Sequence, residues 1–274
     1  MRSGEREAFF LPLGNGQRFC LYTPPANDRA TAAVIYIHPL AEELNKTRRM
    51  VAMQVAALAE AGCAVLQIDL LGCGDSSGDF ADASWSAWRD DIVEACRWLR
   101  SRSAAPLWLW GLRAGALVAV EAAGQLPEAV NFLFWQPVPS GRQAMQQLLR
   151  LAALAGGSAD GVGAAVTLLQ NKLANGQAIE VAGYRLGPAL SVGLEAASMQ
   201  PPVGRSGRVV WFDVSNREMP QISPSTAAIL AQWQSGGFAT AYRLVTGPSF
   251  WQTAEIECAP ALIEATTAIF ASAP

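Results

Sequence analysis

Residues 107–120 read LWLWGLRAGALVAV, and this stretch most constrains what the chain can fold into. A run of large apolar residues suits a strand buried on both faces. A turn bracketed by Gly111 and Gly115 follows at once, and then a helix of small residues. A buried strand that enters a helix through so short a turn is the βα half of a parallel sheet. The middle residue of the turn, Arg113, is pushed out above the sheet edge.

The rest of the chain repeats this rhythm. Strands over 9–13 and 18–22 flank Asn15-Gly16, a hairpin-turn signal. The run AVIYIH at 33–38 reads as a buried strand, and a helix over 46–61 stops at Gly62. A strand over 63–69 leads into a loop marked by Gly72, Gly74 and Gly78. An amphipathic helix over 84–101 carries Trp85, Trp88, Ile92 and Trp98. After the central strand and a helix over 114–123, strands are predicted over 130–135, 209–212 and 241–245. Helices are predicted over 225–235 and 259–271. The expected class is α/β, with a mostly parallel central sheet and helices on both faces. The interval 139–205 breaks the alternation and reads as an inserted helical cap. The expected organisation is therefore a core over 1–138 and 206–274, interrupted by that cap.

Composition narrows the function classes. Apolar residues make up 51% of 274, enough for a large core. A net charge of -3 without a long basic cluster gives no footprint for nucleic acid. The five cysteines are scattered and lack CxxC spacing, which points to thiols in a reducing compartment rather than structural zinc. No metal or other cofactor is expected. The start, MRSGEREAFF, has no apolar signal core. The apolar region 148–170 is broken by Gly156, Gly157, Asp160 and Gly161, so no membrane span is expected. The expectation is a soluble, cytoplasmic protein.

Strand, Gly-x-x-x-Gly turn and small-residue helix together form the context of the nucleophile elbow, G-x-S-x-G, of α/β hydrolases. Here Arg113 stands where the serine belongs. A guanidinium stays protonated at any working pH and cannot attack an acyl group. The fold places its catalytic histidine after the last strand, yet 246–251 reads TGPSFW. Asp213 fits the position of the acid. One triad member of three is present, so serine-triad hydrolysis is not supported.

The single histidine, His38, ends the strand expected beside the elbow strand. In His38-Pro39 the proline lacks an N–H at a corner where backbone donors form an oxyanion hole. Leu40, Ala41 or Ala114 remain as donors. His38 has two readings: a ring that ties down its loop, or a general base. The run HPLAEELNKTRR places Glu42, Glu43, Asn45, Lys46, Arg48 and Arg49 at the pocket edge. With the helix starting near 46, Lys46, Arg48 and Arg49 oppose the helix dipole. A buried Arg113 needs an anion. Either Glu42, Glu43 or Asp213 supplies it, or the pocket binds an anionic ligand. Cys73, in DLLGCGDSSGD, is a conceivable nucleophile where its pKa is lowered.

The segments HPLAEELNKTRRM, QIDLLGCGDSSGDF and GLRAG, in this order over 38–115, resemble the exosortase A system-associated hydrolase 2 family. The core after 206 fits the general fold more loosely. The resemblance implies a bacterial cytoplasmic protein encoded with exopolysaccharide and protein-sorting functions, and an acyl-carrier protein or acyl-CoA as partner. Its motif also carries Arg at the nucleophile position. Two functions follow as expectations. The first is a degenerate hydrolase that uses Arg113, with Glu42, Glu43, Lys46, Arg48, Leu40 and Ala114 around it, to bind an anionic or acyl ligand. The second is an ester or thioester hydrolase or acyltransferase with a rebuilt site. There His38, oriented by Glu42 or Glu43, activates water and Arg113 stabilises the oxyanion.

Overall fold

The computed structural model describes residues 5–14, 16–27, 29–156, 161–217 and 221–271. Its frame is an eight-stranded sheet. The strands are β1 (Glu7–Leu13), β2 (Gly16–Thr23), β3 (Ala32–Ile37), β4 (Cys63–Ile68), β5 (Leu107–Leu112), β6 (Asn131–Trp135), β9 (Gly207–Ser215) and β10 (Phe238–Thr246). They are ordered β1-β2-β4-β3-β5-β6-β9-β10. Only β2 runs against its neighbours, pairing antiparallel with β1 and β4. The β1–β2 hairpin lies where Asn15-Gly16 announced it, although Asn15 itself is outside the described residues.

The continuous apolar runs have a simple cause. Strands β3 and β5 are buried along their whole length because helices cover both faces of the sheet. One face packs on α2 (Trp85–Arg102), α3 (Gly115–Gln125) and α7 (Pro224–Ser235), through residues such as Trp88, Ile92, Leu117 and Trp233. The other packs on α1 (Glu42–Glu60) and α8 (Pro260–Ala271), through Met50, Val55, Leu262 and Phe270. Helix α2 starts where Ser84 Oγ accepts the Ala87 N–H at 3.2 Å, and Arg100 and Arg102 in its last turn suit the dipole.

A buried ion pair crosses one face of the sheet. Arg18 Nε on β2 donates to Asp91 Oδ2 on α2 at 2.7 Å, and the same oxygen accepts the Leu71 N–H at 2.8 Å. Three elements are fixed by one carboxylate. Burial pushes the Asp91 pKa up, and the Arg18 and Leu71 contacts only partly offset it.

Two expectations need correction. Helix α1 begins at Glu42, one turn before the predicted start. Glu42 and Glu43 therefore fill the first turn with the sign that suits the dipole, and Lys46 falls in the second turn. The interval 139–205 is also not purely helical. It holds α4 (Gly141–Ala155), α5 (Val162–Ala174), the strand pair β7 (Ile179–Val181) and β8 (Tyr184–Leu186), and α6 (Pro188–Ala196). The β7–β8 turn uses Ala182 and Gly183, both at positive φ. Alanine carries no signal for that conformation, so the hairpin is silent in the sequence. The Gly141 N–H donates to Ala197 O at 2.9 Å and a Ser140–Ser198 bridge lies beside it, so the two ends of this interval meet. Of the residues breaking the 148–170 run, Gly157 and Asp160 lie outside the described residues. No helix among the described residues is long and apolar enough to cross a membrane.

Candidate functional site

The turn after β5 has the geometry of an elbow. Arg113 sits at φ 56°, a left-handed conformation that costs a non-glycine residue energy. Glycine is required on both sides of it. A Cβ at Gly111 would run into the Ala116 backbone, and one at Gly115 into the carbonyls of Ile37 and His38. The helix thus packs directly on the strand ends, and the 113 side chain has only the cleft to enter.

Four groups hold the guanidinium there. Nε donates to Glu43 Oε1 at 3.1 Å, Nη2 to Gln147 Oε1 at 3.0 Å, and Nη1 to the Gln136 carbonyl at 3.3 Å. The Trp251 ring lies 5.4 Å from the guanidinium carbon, in cation–π range. Trp251 belongs to the loop after β10, where the fold would carry its histidine. An aromatic face stands on the guanidinium in place of an imidazole on a hydroxyl.

Of the three carboxylates that could neutralise Arg113, Glu43 is the one that does. Its pKa is nevertheless raised, because burial outweighs the lowering by Arg113 and Lys46. Glu42 pairs with Lys46 at 3.0 Å instead. Asp213 accepts from Trp211 Nε1 at 2.8 Å and Tyr242 Oη at 3.0 Å. Burial raises its pKa too, and the two donors lower it only in part.

Both ring nitrogens of His38 are engaged within the fold. Its Nε2 accepts the Leu70 N–H at 3.2 Å, and because that group only donates, Nε2 must carry the lone pair. Nδ1 is then the protonated nitrogen and donates to the Pro39 carbonyl at 2.7 Å. The ring is buried edge-on against Trp88. Burial lowers its pKa below the ordinary imidazole value, the Asp69 charge opposing this. Neither nitrogen is left for a substrate water, and neither Glu42 nor Glu43 contacts the ring. Cys73 is buried too, and that burial, with Asp69 and Asp91 nearby, pushes its thiol pKa up.

Arg113 forms part of the wall of a cavity of about 430 Å³ under α4. Leu40, Glu42, Glu43, Lys46 and Ala114 line it, together with Val138, Ala144, Leu148, Leu151 and Leu154. Among the described residues, no acceptor pairs with the N–H of Leu40, Ala41 or Ala114, the three donors expected at this corner. Arg48 is not part of this wall. Its guanidinium lies outside, 3.9 Å from the Asp69 carboxylate, because α1 starts early and turns that position away. Asp213 lines a neighbouring cleft that also touches Arg113.

Sequence reading missed the α4 residues. Gln147, Leu148, Leu151 and Leu154 all face the cavity, and Leu151 and Leu154 remain exposed. Their signal was present as leucines three apart at 148, 151 and 154, beside the helix face that carries Met145, Leu149 and Ala152 into the core.

The strand order, the single antiparallel strand and the elbow define an α/β-hydrolase fold. Comparison with solved structures agrees. Est1E from Butyrivibrio proteoclasticus, with ferulic acid bound, superposes with a TM-score of 0.64 over 96% of each chain at 16% identity. Mouse alpha/beta hydrolase domain-containing protein 10 gives 0.60 over 96% of each at 14%. XC6422 from Xanthomonas campestris, described as a serine hydrolase without a lid, gives 0.56 over 97% of this chain and 92% of that one at 18%. Human ABHD12B is 31% identical over 114 residues, which is 41% of this chain and only 30% of ABHD12B. No family profile matches the chain. These likenesses establish the fold, not an activity.

Proposed function

We propose that this chain is a ligand-binding α/β-hydrolase-fold protein without serine-triad turnover, and that it takes an anionic acyl or alkyl ligand in the cavity beneath α4. One observation carries the reading. The elbow position that would present a nucleophile presents Arg113 instead, fixed by Glu43 at 3.1 Å in the wall of a largely apolar cavity. A preorganised guanidinium near the unpaired backbone N–H groups of Leu40, Ala41 and Ala114 suits a carboxylate, phosphate or sulfate. The leucines of α4 suit a hydrocarbon chain. Residues 139–205 act as the cap of this site. The motifs over 38–115 support a place in the exosortase A setting, in the bacterial cytoplasm, with an acyl-carrier protein as a candidate donor of the ligand.

The test combines binding and turnover. Calorimetry with decyl methyl phosphate, a monoanionic diester, is expected to show binding that Arg113→Ala abolishes. A panel of acyl esters and acyl-CoA thioesters is expected to show no turnover above the Arg113→Ala control. Wild-type turnover that disappears in Arg113→Ala would make the protein an enzyme and overturn the reading.

A further inference from the structure

Arg113 does not border one cavity but two. A second cleft of about 600 Å³ opens on its other side, between the ends of β9 and β10 and the loop after β10. Arg113, Gln147, Trp251 and Gln252 line both. The linings differ in kind. Leu40, Val138, Leu148, Leu151 and Leu154 dominate the first, whereas the second offers Gln136, Asp213, Asn216, Tyr242 and Ser249. Amides and hydroxyls donate and accept and the carboxylate accepts, a pattern that suits a polyol rather than a hydrocarbon.

The guanidinium at the boundary keeps capacity for a ligand. Of its five N–H groups, three are engaged by Glu43, Gln147 and Gln136, and each terminal nitrogen retains one. One N–H on each terminal nitrogen can reach two oxygens of one anion. Cations also stand in each cleft. Arg150 lines the first and Arg217 the second, and neither has a carboxylate partner among the described residues.

We propose that Arg113 is the junction of a two-part site for one amphiphile, whose anionic linkage sits on the guanidinium, whose aliphatic chain lies under α4, and whose hydroxylated head lies beside Asp213 and Tyr242. This rests on the anion-binding reading above and adds the ligand's architecture to it. A phosphodiester between an alkyl or acyl chain and a polyol has the required order of parts: apolar, anionic, hydroxylated.

A matched pair of probes tests it, both monoanionic diesters with the same chain. Decyl methyl phosphate has no head, and decyl phosphoglycerol carries a diol. Titration calorimetry below their micellar concentrations is expected to give decyl phosphoglycerol at least a tenfold lower Kd. Arg217→Ala and Asn216→Ala, alone and together, are expected to narrow the gap between the probes, with a larger loss for decyl phosphoglycerol than for decyl methyl phosphate. Ala144→Phe, which fills the first cavity, is expected to weaken both probes equally. Equal binding of the two probes to the wild type would overturn the two-part site and leave the anion-binding reading standing. No binding of either would overturn both. Circular dichroism of each variant separates a lost contact from a lost fold.

Discussion

Two buried arginines pair with carboxylates in this molecule, and they do different things. Arg18 and Asp91 are sealed between the sheet and α2, and the shared oxygen also takes a backbone N–H. Arg113 and Glu43 stand at a cavity wall, where Glu43 keeps some solvent contact and the guanidinium retains unused donors. The chemistry of the pairs is the same, while the surroundings differ. Where the pair is sealed between elements, it joins them. Where donors are left over at a cavity wall, the pair is available to a third party.

Breaking each pair should expose that difference. The largest effect is expected from Asp91→Ala, which leaves a guanidinium buried without its carboxylate and should cost about 3–5 kcal/mol in urea unfolding. A loss below about 1 kcal/mol would mean that the pair does not organise the fold. Arg113→Met should be milder, under about 1.5 kcal/mol, because Glu43 can take up a proton and Met fills the stem volume. It should also raise the Glu43 pKa further, seen by carboxyl-carbon NMR, since the lowering by Arg113 disappears.

The pH dependence of binding sharpens the comparison. The Glu43 carboxylate offsets the charge that Arg113 offers an anion, and burial raises its pKa above the ordinary value. Affinity for decyl methyl phosphate should rise by roughly fivefold as pH falls through that raised pKa, matching a partly exposed pair of about 1 kcal/mol. Glu43→Gln should hold the higher affinity throughout, and Asp213→Asn should leave the slope in place. For stability the same raised pKa has the opposite sense from a tight salt bridge. Its contribution is full below the unfolded value of about 4.3 and is lost as pH rises through the folded one.

The smallest expected effect is an absence of change. His38, as the single histidine, gives one imidazole signal in a nitrogen-correlated NMR spectrum. That signal should report the Nδ1–H tautomer and should not titrate near pH 6.5. Because its folded pKa is depressed, its contribution to stability is present above about pH 6.5 and is lost as pH falls through the folded value. Arg113→Ser should likewise gain no esterase activity, since no imidazole can reach the new hydroxyl. An imidazole titrating normally in the wild type would undo the assignment of His38 as a loop anchor.

The sheet was legible in the sequence because burial on both faces demands unbroken apolar runs, as in 33–37 and 107–110, and the elbow because two glycines are sterically compulsory there. The start of α1 was misread because Glu42 and Glu43 look like loop residues until the dipole of the helix they begin is considered. The choice of Glu43 over Glu42 and Asp213 was not legible. It depends on which side of α1 faces β5, and a shift of one residue along a helix turns a side chain by about 100°. The contribution of Gln147 was hidden for a similar reason, since the path of α4 across the cavity depends on how its first residue, Gly141, meets Ala197 after α6.

The left-handed turn at 113 makes that position an address rather than a chemistry. Strand, flanking glycines and helix deliver one side chain to the same point above the sheet, whatever that side chain is. A hydroxyl there needs partners brought by two distant loops before it can react, but a guanidinium works as soon as it arrives. The same pedestal can thus change occupation by a single codon, and the residues left around it, such as Trp251, then determine what the new occupant can hold.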